Sequence, residues 1–157
     1  MEASELRDVR EKLGATGKEM ARILGSSLAH LMRWEEGSAR IPPGKAALLE
    51  SLKLLAQHLA NEPLLPHKGE KAIDHLRAVL IQMGAENFLF LLAKEKPQCL
   101  PRSCWRRLAA VKPAIGFLIG APVGMVGALC SSSSVRSLLE MLEGNATRNA
   151  REREKSP

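Results

Sequence analysis

Three glycines, Gly14, Gly25 and Gly37, divide the start of this chain into short segments, each with an apolar stripe on one face. Residues 4–13 set Leu6, Val9 and Leu13 at three- and four-residue spacing, with Ser4 as the expected N-cap and Gly14 as the stop. Thr16 is placed to cap a second helix, whose stripe of Met20, Ala21, Ile23 and Leu24 ends at Gly25. Ser26 and Ser27 are N-cap candidates for a third helix over residues 28–36, which carries Leu31 and Trp34 before Gly37 ends it. Helices this short hold their shape only when packed. The third follows tightly on the second.

Beyond the turn Arg40-Ile41-Pro42-Pro43-Gly44, residues 45–60 carry Leu48, Leu49, Leu52, Leu55 and Leu59 at helical spacing. This helix is expected to cover the core of an N-terminal domain spanning residues 4–60, or to pair with a second copy. Residues 61–69, with two prolines and a glycine, form the expected linker. A C-terminal region, 70–143, follows. Its helical pattern from 70 to 95 is apolar at Ile73, Leu76, Leu80, Met83, Phe88, Leu91 and Leu92, with Gly84 as a candidate break. A loop around Pro97 and Pro101 over residues 96–104, a basic helix at 103–112 and a short helix near 134–143 complete it. The polar, charged tail 144–157 is expected to be disordered.

Composition places the chain in the all-α class. It is 45% hydrophobic and 25% charged, enough to build a core, yet only 3% aromatic with no Tyr, and rich in Leu and Ala. The net charge of +6 suits a polyanionic partner. Its placement is uneven: residues 1–60 hold nine Lys/Arg against eight Asp/Glu, so the excess lies in the second half. Cys99, Cys104 and Cys130 are too few and too irregular for a disulfide framework, which favours a reducing cytoplasmic setting. Cys99 and Cys104 lack two further patterned ligands, so no metal site is expected. The N-terminus lacks the basic and apolar regions of a signal peptide. No nucleophile motif, phosphate loop or His-Glu zinc pattern occurs, so neither an enzyme nor a cofactor is expected.

The segment Leu13-Gly-Ala-Thr-Gly-Lys-Glu-Met-Ala-Arg-Ile-Leu-Gly-Ser-Ser-Leu-Ala-His-Leu-Met-Arg-Trp-Glu-Glu-Gly37 closely resembles, without a gap, the Xre-type helix-turn-helix family of Cro and phage repressors. The resemblance implies a repressor-like helical bundle over residues 4–60 that places its third helix in the major groove of double-stranded DNA, in a bacterial or phage-type transcription regulator acting as a homodimer. It puts Ala21 where the two motif helices cross, Ile23, Leu24, Leu31 and Trp34 in the core, and Arg10 and Glu35 at the family's structural ion pair. The positions it turns toward DNA are Thr16, Gly17 and Lys18 on the bracing helix and Ser27, Leu28, Ala29, His30, Met32 and Arg33 on the recognition helix. Among them Arg33 can hold guanine bidentately, Leu28 and Ala29 can meet a thymine methyl, and Thr16, Lys18 and Ser27 would hold phosphate. Arg40 and Lys45, flanking the Pro-Pro-Gly turn, are candidates for further backbone contacts. The chain departs from the family at Gly17, often Gln there, and at Leu28 and Ala29, often polar.

The second half carries two weaker signals. Between Lys94 and Lys112 stand Lys94, Lys96, Arg102, Arg106, Arg107 and Lys112 around Trp105, against the single acid Glu95. Such a segment suits an accessory nucleic-acid surface, a membrane-surface anchor or a solvated face. Pro113 to Cys130 is uncharged, but its glycines and prolines make it a poor membrane span and a better buried or oligomer-forming segment. The expected function is sequence-specific, repressor-like regulation, with residues 70–143 supplying dimerisation or a protein contact. The alternatives are an antitoxin-type or other protein-interaction module and, third, a membrane-associated regulator.

Overall fold

The computed structural model describes residues 1–60 and 71–111, together with 138–140, 142, 151, 154 and 155. The expected linker, the apolar segment from Pro113 to Cys130 and the run Ser131 to Ser134 lie outside these residues. The first helix, α1 (Ala3–Leu13), starts one residue earlier than the spacing predicts, because Glu2 rather than Ser4 caps it. Glu2 and Glu5 form a reciprocal capping box, in which the Glu2 N–H donates to Glu5 Oε2 at 2.9 Å. Two carboxylates at the positive end of a helix outcompete a lone hydroxyl. Leu6, Val9 and Leu13 are fully buried, as their spacing requires.

The next two helices are α2 (Gly17–Ile23) and α3 (Leu28–Glu35), capped by the Thr16 and Ser27 hydroxyls. The longest, α4 (Pro43–Leu59), begins inside the expected Pro-Pro-Gly turn, since Pro43 stands at the first helical position, where its fixed φ and missing N–H cost nothing. It buries Leu48, Leu49, Leu52, Leu55 and Leu59 and serves as the central post of the molecule, packed by α1.

The second half continues with α5 (Ala72–Met83) and α6 (Ala85–Glu95). Between them the chain turns by 109° at Gly84, whose φ of 83° and ψ of 153° fall in a region open essentially to glycine alone. The expected loop at 96–104 contains a short 3-10 turn at Pro97–Cys99, after which α7 (Arg102–Val111) lays Cys104, Trp105 and Leu108 against α4. No strand element occurs among the described residues, and the chain is all-α.

The two halves share one core. α5 packs on α1, α2 and α4, while α6 and α7 pack on α4. Buried side chains from every helix form a single cluster, which Leu138, Leu139 and Leu142 join from the helical residues near the C-terminus. A polar latch reinforces the junction: Arg77 Nη1 donates to the carbonyls of Leu13 and Gly14 at 3.2 Å each, capping the C-terminal end of α1 from α5. In the tail, Arg151, Glu154 and Lys155 are helical and exposed, where no regular structure was expected.

Candidate nucleic-acid interface

The junction of α2 and α3 is built from the backbone outward. Gly25 adopts a left-handed φ of 61°, which lets its N–H bond Arg22 O at 3.1 Å and lets Ser26 N–H bond Ala21 O at 2.8 Å. This is the glycine-terminated helix end that satisfies two orphan carbonyls at once. Ser27 then starts α3 by accepting the His30 N–H at 3.2 Å. Thr16 does the same for α2, accepting from Glu19 N–H at 3.3 Å while its own N–H donates to Glu19 Oε2 at 2.7 Å. That backbone hydrogen bond holds the Glu19 carboxyl below the usual carboxylate range.

Ala21 is buried on α2, which packs on α3, and Leu31 and Trp34 anchor α3 in the core. The end of α3 is fixed by Arg10, whose Nε donates to Glu35 Oε1 at 2.6 Å with both side chains largely covered. Arg7 adds a bond from Nη2 to Glu35 O at 3.3 Å. Core packing and this ion pair together set the rotation of α3 about its axis.

That rotation exposes Ser27, Leu28, Ala29, His30, Met32 and Arg33. Thr16, Lys18 and Arg40 are exposed as well, whereas Gly17 and Lys45 are half-buried. His30 stacks on Trp34, with ring centroids 6.1 Å apart and planes inclined by 16°. No group among the described residues pairs with the Arg33 guanidinium or the Lys18 ammonium. Lys45 is engaged within the fold, where its ammonium donates to Leu24 O and ties the end of α2 to α4.

The two departures from the Xre pattern touch each other. A Cβ on Gly17 would come within 3.3 Å of Leu28 Cδ1, so the missing side chain on α2 leaves the space that Leu28 occupies. Leu28 and Met32 remain 37% and 51% exposed and are the exposed large apolar side chains of the described residues.

Arg22 was not among the expected contacts. It is exposed on the last turn of α2, one turn beyond Lys18, and lines a cleft of about 380 Å³ with Gly25, Lys45, Gly84, Glu86 and Asn87. The four-residue spacing of Lys18 and Arg22 was the available signal. Cys99 and Cys104 are both buried, and burial pushes the Cys104 thiol up, which keeps it protonated at neutral pH. Among the described residues no group of His, Cys, Asp and Glu converges as a metal site, and no single helix is long and apolar enough to cross a membrane. No protein-family model matches the chain, and no solved structure matches it.

Proposed function

We propose that this protein is a sequence-specific DNA-binding transcriptional regulator of the Xre-like helix-turn-helix kind, repressor-like and acting as a dimer on a paired site. One observation carries the reading: α3 turns a mixed set of side chains outward, Leu28, Ala29, His30, Met32 and Arg33, while Leu31, Trp34 and the Arg10–Glu35 pair hold its other side rigidly. A helix fixed in rotation, with chemically varied side chains on its free face, is what base-edge recognition in a major groove requires.

The roles follow from chemistry. Arg33 has its full fork of donors free for guanine, and Leu28 and Ala29 offer methyl contacts to thymine. The Thr16 and Ser27 hydroxyls accept cap hydrogen bonds yet keep their own O–H to donate to phosphate, and Lys18 and Arg40 stand alongside as cations. Lys45 acts indirectly, holding α2 in place through Leu24 O.

The test is a mobility shift with DNA from upstream of the protein's own gene, run with unrelated DNA in excess and with Arg33→Ala alongside. A specific shift is expected, with the variant losing roughly 5- to 150-fold in discrimination. The exposed Leu28 and Met32 favour a second reading, a surface for a partner protein of the antitoxin-type class. Absence of any specific shift at low salt would decide for that reading.

A further inference from the structure

We propose that the outward face of α7 is a second phosphate-binding surface, which grips the backbone of the duplex that α3 reads; this rests on the DNA-binding reading above. α7 buries Cys104, Trp105 and Leu108 and exposes Arg102, Arg106 and Arg107. With the α-helical repeat, the three arginines share the side opposite the core. The helix contains no carboxylate. Arg107 engages Glu50 of α4, whereas Arg102 and Arg106, one turn apart, have no acidic partner among the described residues. Like charges at this spacing repel, so an anion lying across both guanidinium groups relieves a repulsion that the free protein carries. Planar guanidinium forks suit phosphate oxygens in particular.

The structure also separates phosphate from the other surfaces a basic helix can meet. A helix that rests on a membrane must turn apolar side chains toward lipid. Here Trp105 and Leu108 point into the core, the Trp105 indole N–H donates to Pro97 O at 2.6 Å, and nothing larger than Ala110 is apolar on the exposed side. A protein interface is organised around an apolar or aromatic centre, which this face lacks. The C-terminal end of α7 lies toward the start of α4: Ala110 and Val111 line an open groove with Pro43 and Ala46, directly after the loop that carries Arg40. Of the three arginines Arg107 therefore stands nearest that end of the molecule, and the strip runs back from it through Arg106 to Arg102 along the helix. Most of the chain's positive excess lies in this second half, and α7 concentrates part of it on one exposed strip.

The experiment measures binding of the full chain to its specific duplex by fluorescence anisotropy across a salt series, for the natural sequence, R102A/R106A and R102K/R106K. Both positions are exposed and Ala and Lys are good helix formers, so the fold, checked by circular dichroism, is preserved. Each lost phosphate contact lowers the slope of log affinity against log salt by about 0.9, so the alanine pair is expected to lower it by about 1.8, equally for specific and unrelated duplexes. The lysine pair is expected to keep the slope. An unchanged slope in R102A/R106A, or an equal loss in R102K/R106K, overturns the proposal alone, and so does α7-dependent binding to anionic vesicles with the DNA slope intact. A chain that binds no duplex at all overturns this inference and the regulator reading together.

Discussion

α3 buries Leu31 and Trp34 and turns Leu28, Ala29, His30, Met32 and Arg33 outward; α7 buries Cys104, Trp105 and Leu108 and turns Arg102, Arg106 and Arg107 outward. Each is anchored by one tryptophan and tethered by one arginine–glutamate pair, Arg10–Glu35 for α3 and Arg107–Glu50 for α7. Their free faces differ in kind. A face with methyl groups, an imidazole, a thioether and one guanidinium can distinguish base pairs, because each base edge offers a different pattern of donors, acceptors and methyls. A face of arginines alone meets phosphates, which are the same at every step, and so adds affinity without sequence information. On the proposed function, two exposed helix faces on one core would divide the labour, α3 supplying sequence recognition and α7 affinity.

The largest expected effect tests whether that core is single. Trp34 and Trp105 are the two tryptophans of the chain, so in W105A the fluorescence of Trp34 alone reports the N-terminal helices. Removing a buried tryptophan costs about 3–5 kcal/mol. Because α7 packs on α4 and its buried side chains join the common cluster, the urea transition seen by Trp34 is expected to move by that amount. A Trp34 transition left in place would split the molecule into two units and end the comparison on those terms.

The two tethers should differ next. Arg10 and Glu35 retain side-chain exposures of only 23% and 15%, so Arg10→Met, which strands the carboxylate, is expected to cost about 1–2 kcal/mol in urea unfolding. Arg107 is 65% exposed, and Arg107→Met is expected to leave the midpoint unchanged. Equal losses at the two sites would mean that α7 is held as firmly as α3 by its ion pair.

The smallest effect concerns acid. Hydrogen bonds from the Glu2 and Thr16 N–H groups hold the Glu5 and Glu19 carboxyls below the ordinary carboxylate range. A folded-state pKa below the unfolded one means that this stabilisation is complete above the unfolded value of about 4.3 and is lost as pH falls through the lower folded value. Thermal melting is expected to weaken on acidification through that window, and E5Q/E19Q to shrink the drop. α7, with no carboxylate, contributes nothing of the kind from its own residues. A drop of the same size in the double variant would rule out the two capping boxes as its source.

Much of the helical layout was legible because its signals are local. Leu6, Val9 and Leu13, the caps Thr16 and Ser27, and the stops Gly14, Gly25 and Gly37 each act within a turn or two of chain. Ser4 misled because a hydroxyl at a plausible place does not reveal that the Glu2–Glu5 box, two residues away, binds the same helix end better. Leu28, Ala29, His30, Met32 and Arg33 are exposed on α3, and Arg10 pairs with Glu35 at the end of that helix. The occupation of Lys45 by Leu24 O was not legible, since a lysine at the start of a helix carries no mark of which remote carbonyl will face it.

By itself, then, the sequence determined an all-α chain and its punctuation into helices, because apolar periodicity and capping are short-range properties of neighbouring residues. Only the tertiary structure decided that the two halves share one core, that Gly84 turns α5 sharply into α6, that Arg77 caps α1 from across the chain, and that Leu28 rests in the space left by Gly17. These contacts join residues remote in the chain, and whether they form depends on how buried faces fit one another in space, which no window of sequence records.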